Sequence, residues 1–170
     1  MQNFYDFFVK ELKDIYNSEL QILKALPKMA KAAKSPKLKQ AFLSHLQETK
    51  GQVKRLEKIG KLIKESLKGE VCKAMHGLLQ EGEEILKTPF EKDTKDAALI
   101  SAAQRVEHYE MAAYGCLKTY AKHLKMKEVE TLLKETLKEE GAADKKLTTI
   151  AEGGTFTTGV NTKACDHCGM

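Results

Sequence analysis

Four long stretches of this chain repeat their apolar residues at helical spacing, and each apolar stripe carries at least one acid near its middle. The first stripe runs Phe8, Leu12, Ile15, Glu19, Ile22, Leu26. The second runs Leu38, Phe42, His45, Glu48, Gln52, Leu56, Ile59. The third is Leu99, Ala103, Glu107, Glu110, Tyr114, Leu117, Ala121, and the fourth Val129, Leu133, Thr136, Glu140, Asp144, Leu147, Ile150. Residues three and four apart share one face of a helix. Any fold must therefore bury these four faces together and also accommodate the carboxylates they carry.

The breaks between stripes set the order of helices. The first helix is expected over Phe4 to about Ala33, with Pro27 inside it as a kink. Ser35-Pro36 ends it and starts the second, Ser as N-cap and Pro at the first helical position. The second runs to about Leu67 and Gly69 stops it. A short helix follows from about Val71 to Leu86, and Thr88-Pro89 breaks the chain again. The third long helix spans about Thr94 to Leu124, the fourth about Lys127 to Ala151. Tight joints pair the first helix with the second and the third with the fourth. The connection between the pairs is long enough for a crossover holding the short helix. The expected fold is all-α: a bundle over 1–152, followed by a tail, 153–170. That tail, EGGTFTTGVNTKACDHCGM in context, is Gly- and Thr-rich without helical period and reads as loose chain.

The bulk numbers narrow the classes. Hydrophobic residues are 42% and charged residues 31% of 170, an ordinary composition for one domain with a core. No apolar run is long enough to cross a bilayer, and the N-terminus lacks a secretory pattern, so the expected location is the cytoplasm. The charge of +5 concentrates in the first two helices. Those lysines are scattered without aromatic interleaving, which reads as a solvated face rather than a nucleic-acid interface. Cys72 and Cys116 read as buried free thiols. Cys165 and Cys168 form a Cys-x-x-Cys, half of a tetrathiolate site for zinc or iron, which two tails of a dimer could complete with His167 in reserve.

Depth sharpens the acids' meaning. Glu19, Glu48, Glu107 and Glu140 each lie within about three residues, roughly 5 Å, of their helix midpoints. Midpoints of packed helices share one level. Up to six carboxylates, with Glu110 and Asp144, would meet in the core, where an unpaired charge costs several kcal/mol. The stripes carry no lysine; Arg105, off its stripe, could cover one acid at most, and protonation could remove some charge at a cost. Two divalent cations would neutralise most of that charge, and an oxygen-rich donor set suits iron or manganese. Gln52 could ligate through its carbonyl. His45 reads as a core histidine able to swing toward the metal, and His108 as a neighbour turned away from it.

The segments ELKDIYNSELQILKALPKMA, HLQETKGQV, CKAMHGLLQEGEEI, DAALISAAQRVEHYEMAAYG and LLKETLKEEGAADKKLTTIA resemble the YciE/YciF-type bacterial stress proteins, ferritin-like proteins related to rubrerythrin. The resemblance covers about residues 4–151. It implies a ferritin-like four-helix bundle with a short fifth helix in the crossover, and a homodimer. It also implies a rubrerythrin-type dimetal site. Glu19 matches the lone Glu of the first helix, Glu107 and Glu110 the Glu-x-x-Glu of the third, and Glu140 the last Glu. Asp144 and Gly51 stand where that site has histidines, so the donor set is poor in nitrogen. The implied chemistry is a di-iron centre that reduces H2O2 or oxidises Fe(II), with O2 as an alternative oxidant and an unidentified electron donor. Glu110 is the expected mobile carboxylate, Glu48 and Glu140 the bridges, and Tyr114 a hydrogen-bond or electron donor. The alternatives are a dimanganese, catalase-like centre and a non-enzymatic helical interaction or DNA-protecting protein.

Overall fold

A computed structural model describes residues 3–155 and 157–166. Five helices make up most of it: α1 Phe4–Ala32, α2 Pro36–Ile63, α3 Lys73–Lys87, α4 Lys92–His123 and α5 Lys127–Glu152. Asn3 and Asp6 form a capping box at the start of α1, each side chain bonding the other's backbone N–H. Helix α1 runs through Pro27 without interruption. Ser35 caps α2, and Pro36 opens it.

The four long helices pack as a ring. Helix α1 lies against α2 and α4, and α5 lies against α2 and α4. The short α3 sits in the crossover and packs on α1 and α4, roofing that seam. This is the all-α bundle that the tight and long connections predict.

Along each long helix the core divides in two. One apolar layer contains Ile22 and Leu26 of α1, Leu38 and Phe42 of α2, Leu99 and Ala103 of α4, and Leu147 of α5. The other contains Phe8 and Leu12, Leu56 and Ile59, Leu117 and Ala121, and Leu133. Between them every long helix contributes a buried polar turn: Ser18 and Glu19, His45 and Thr49 with Gln52, Glu107 and Glu110, Thr136 and Glu140. The acids therefore form a polar layer sealed above and below by hydrocarbon.

Two boundaries differ from the sequence expectation. Helix α2 stops at Ile63, because Lys64 turns left-handed (φ 58°) and the Glu65 N–H bonds back to the Gly60 carbonyl at 2.9 Å. Leu67 still reaches the core, by folding under the helix end. A Cβ on Gly60 would lie 2.9 Å from Glu65 O and 3.2 Å from Leu67 Cγ, so glycine permits the close reversal. The described part of the tail is also more regular than its composition suggests. After α5 the chain forms a small hairpin, β1 Gly153–Gly154 with β2 Thr157–Thr158, and then α6, Val160–Asp166, packed on α4 and α5. Val160 is buried in the first apolar layer. Gly153 (φ 84°) and Gly159 allow this return, since a Cβ on Gly159 would meet Ala151 O at 2.3 Å.

Asp96, which no stripe singles out, fixes the α1–α2 joint. It is buried in α4, and its two carboxylate oxygens accept from Lys34 N (2.8 Å) and Ser35 N (2.6 Å). Replacing it leaves two backbone donors without their partner. Asp96→Ala should lower unfolding free energy by about 2–4 kcal/mol in urea titrations. A loss below about 0.5 kcal/mol would show that water replaces the carboxylate without cost.

Candidate metal centre

The polar layer holds four carboxylates and one imidazole at close quarters. One ligand-capable atom from each of His45, Glu107, Glu110 and Glu140 lies within 4.8 Å of the other three, and all four residues are buried. Glu19, fully buried, borders them: its charge acts on Glu110 directly, and it accepts a hydrogen bond from the Tyr114 hydroxyl. Gln52 donates from its amide nitrogen to Glu140 and, at 3.1 Å, to Glu139 Oε2.

Many atoms of this layer lack partners. Glu19 Oε2, Glu107 Oε2, both oxygens of Glu110, Glu140 Oε2, His45 Nε2 and Gln52 Oε1 are buried without a hydrogen bond. Buried polar groups are almost always satisfied, so seven unpartnered donor atoms in one layer are a concentrated exception. All seven suit a divalent cation. The residues present therefore fit a metal ion.

Without a cation the layer resists ionisation. Burial, then the neighbouring Glu140 charge, pushes Glu19 up to about 8. Burial foremost, followed by the charges of Asp144, Glu19 and Glu48, pushes Glu107 up to about 8 despite a hydrogen bond with Glu140 that pulls the other way. Glu110 and Glu140 are also raised well above the usual carboxylate range, by burial before all else. His45 shifts up. Burial pulls it down, but the hydrogen bond to Glu48 and the charges of Glu140 and Glu19 outweigh that.

On helix α2 the structure exchanges the places that the stripe suggests. His45, on the inner side, points Nε2 toward Glu107 Oε1 (3.4 Å) and Glu140 Oε2 (3.9 Å). Glu48 lies at the rim with its side chain 46% exposed, holding His45 Nδ1 at 3.4 Å. The hydrogen bond with His45 and, after it, the charge of Lys146 hold the Glu48 carboxyl below the usual range. A carboxylate on one imidazole nitrogen leaves the other free to ligate. Glu48 thus lies outside the four-residue cluster, with its carboxylate against the outer nitrogen of His45.

Asp144 is also peripheral. It accepts from Gln104 Nε2 (3.0 Å) and meets His108 Nε2 at 3.2 Å, on the outer side of the α4–α5 seam. His108 is exposed, as its position one residue after Glu107 implies. Arg105 pairs with Glu81 at the surface and gives the layer no charge. Arg55 contributes instead through a neighbour. It forms a two-bonded pair with Glu139 (3.0 and 2.8 Å) and donates to Thr136 (2.7 Å). The Glu139 it fixes accepts from the Gln52 amide nitrogen and so holds that side chain in place. The sequence signal for this was an arginine three residues after Gln52 on the same helix.

The cysteines divide. Cys72 is buried and Cys116 exposed, the latter because it precedes Leu117 and lies off the α4 stripe. Cys165 is exposed at the end of α6. Cys168 and His167 lie outside the described residues.

Linkage gives the metal-free layer a pH signature. Below pH about 4.5 folded and unfolded chains both hold the carboxyl protons, and burial carries no ionic penalty. Between that value and about 8 the unfolded chain releases protons that Glu19 and Glu107 retain, so the contribution to stability falls. A bound cation reverses this by favouring the ionised forms. Calorimetry should show Mn(II) raising the melting temperature far more at pH 8 than at pH 5. An equal rise at both values would disconnect the cation from these carboxylates.

Comparison with known proteins agrees with the architecture. The family described as a domain of unknown function, DUF892, matches residues 3–161. Protein YciF of Escherichia coli strain K12 is 45% identical over 154 residues, covering 89% of this chain and 92% of that protein. The crystal structure of the E. coli stress protein YciF superposes with a TM-score of 0.85 at 44% identity, over 87% of this chain and 94% of that one. YcfI from Rhodopseudomonas palustris gives 0.86 at 41% identity, over 88% and 96%. A protein from Xanthomonas campestris, at 20% identity and a TM-score of 0.69 over 86% and 89%, shares the fold. With its family match spanning the bundle and its resemblance to YciF extending over most of both chains, this chain belongs to the DUF892 family.

Proposed function

We propose that the polar layer is a dimetal carboxylate centre, occupied by iron, that reduces peroxide or oxidises Fe(II) under oxidative stress. The observation that carries this reading is the set of seven orphaned donor atoms in a layer sealed by hydrocarbon. The stress role draws on the description of the E. coli relative as a stress protein.

Glu19, Glu107, Glu110, Glu140 and His45 would hold the cations. Two iron ions would supply a two-electron couple matched to H2O2 or O2. The protein's own part is to bind, orient and exclude. Glu110 has both oxygens unpartnered, so it is the carboxylate freest to change its mode of binding. Tyr114 fixes one oxygen of Glu19 by donating to it, which turns the other inward. Glu48 holds the proton of His45 on Nδ1 and keeps Nε2 available. Gln52, its amide nitrogen committed to Glu139 and Glu140, offers its carbonyl oxygen. The apolar layers keep bulk water from the site.

Dimanganese occupancy is the second reading, supported by a donor set in which one nitrogen stands among many oxygens. Such sets suit manganese as well as iron.

Anaerobic reconstitution tests the proposal. The protein should take up about two Fe(II) per chain, and H2O2 should oxidise two bound Fe(II) per molecule consumed, with two protons taken up and two waters formed. Less than about half a metal per chain would defeat both the iron and the manganese readings. Glu110→Ala should lose most of the metal while circular dichroism remains helical. Glu48→Gln should weaken metal affinity by about 10–100-fold without abolishing binding, as expected for a support of a ligating histidine. Unchanged affinity in that variant would remove Glu48 from the site.

A further inference from the structure

The centre is buried on all four helices, so a cation must reach it through one of the seams. Helix α3 roofs the α1–α4 seam. On the opposite side, between α2 and α5, a cavity of about 80 Å³ leads inward. His45 and Glu107 form its floor, Ala41 and Ala143 its walls, and Glu48 and Lys146 stand at its mouth. The floor residues belong to the polar layer, and both mouth residues are exposed. Small side chains on both helices hold the seam open where larger ones would fill it.

Resting on the metal-centre reading above, we propose that this α2–α5 cavity is the route by which divalent cations reach the polar layer, and that Glu48 and Lys146 set the rate of passage. Glu48 presents a carboxylate to solvent and touches His45 with the same group. A cation attracted to it arrives one imidazole away from Glu107 and Glu140. Lys146 opposes that arrival by placing a positive charge beside Glu48. Lys146 thus acts as a brake on the pull of Glu48, lowering the local cation concentration at the mouth. It equally slows the escape of a cation already inside, since departure crosses the same positive field.

Stopped-flow absorption with Co(II) alone as the probe tests the route in full-length metal-free protein. Wild-type protein should develop the visible bands of bound Co(II) to a fixed final amplitude. Ala143→Leu narrows the cavity and should slow the rise by about tenfold or more, equivalent to one tenfold step in a barrier, with the final amplitude unchanged. Lys146→Glu alters an exposed side chain and leaves packing intact. It should speed the rise several-fold in dilute buffer, and the gain should vanish in high salt, where surface charges are screened. If Ala143→Leu does not fold, the Lys146→Glu result decides alone. Wild-type rates in the folded variants would overturn the route while leaving the metal centre standing. Absence of Co(II) binding by the wild type would defeat the metal-centre reading, and the route with it.

Discussion

The cost of keeping four carboxylates out of water governs this protein. Glu19, Glu107, Glu110 and Glu140 are buried between two apolar layers, and among the described residues no lysine or arginine is paired with them. Left ionised they would repel one another in a medium that screens poorly. Left protonated they would forgo most of their hydrogen-bonding capacity, as their unpartnered oxygens show. A bound cation would resolve both difficulties at once, by neutralising the charge and engaging the oxygens.

The bundle looks built around that layer. Each long helix leaves one hydrocarbon layer, crosses a polar turn and enters the next. The supporting contacts come from outside the layer: Tyr114 on Glu19, Glu48 on His45, and Arg55 through Glu139 on Gln52. They fix orientation from the edge of the layer, and Glu48 in doing so also raises the proton affinity of His45. At the chain's far end, Gly153 and Gly159 let the polypeptide fold back so that Val160 closes one apolar layer. At the joint between α1 and α2, Asp96 holds the turn from the neighbouring helix.

Much of this was legible in the sequence because helical period carries both face and depth. The four stripes and the breaks between them placed five helices to within a few residues, and the distance to each midpoint put Glu19, Glu48, Glu107 and Glu140 at one level, of which Glu48 lies at the rim. What period cannot give is the choice between neighbours on one face. His45 and Glu48, three residues apart, both lie on the α2 stripe; slight rotation of the helix decides which faces inward, and the imidazole does. Asp144 sits one turn beyond Glu140, far enough along α5 to meet Gln104 and His108 instead. The Gly60 reversal and the seating of Val160 were invisible for another reason. Each depends on a backbone approach between distant atoms, which leaves no periodic trace in the residues involved.

Anomalous scattering from crystals grown with Fe(II) under anaerobic conditions tests the central claim most directly. The account predicts two peaks in the polar layer, strong above the iron edge and weak below it, bounded by Glu19, Glu107, Glu110, Glu140 and His45. Crystals of the loaded protein without anomalous density among those five residues would contradict it.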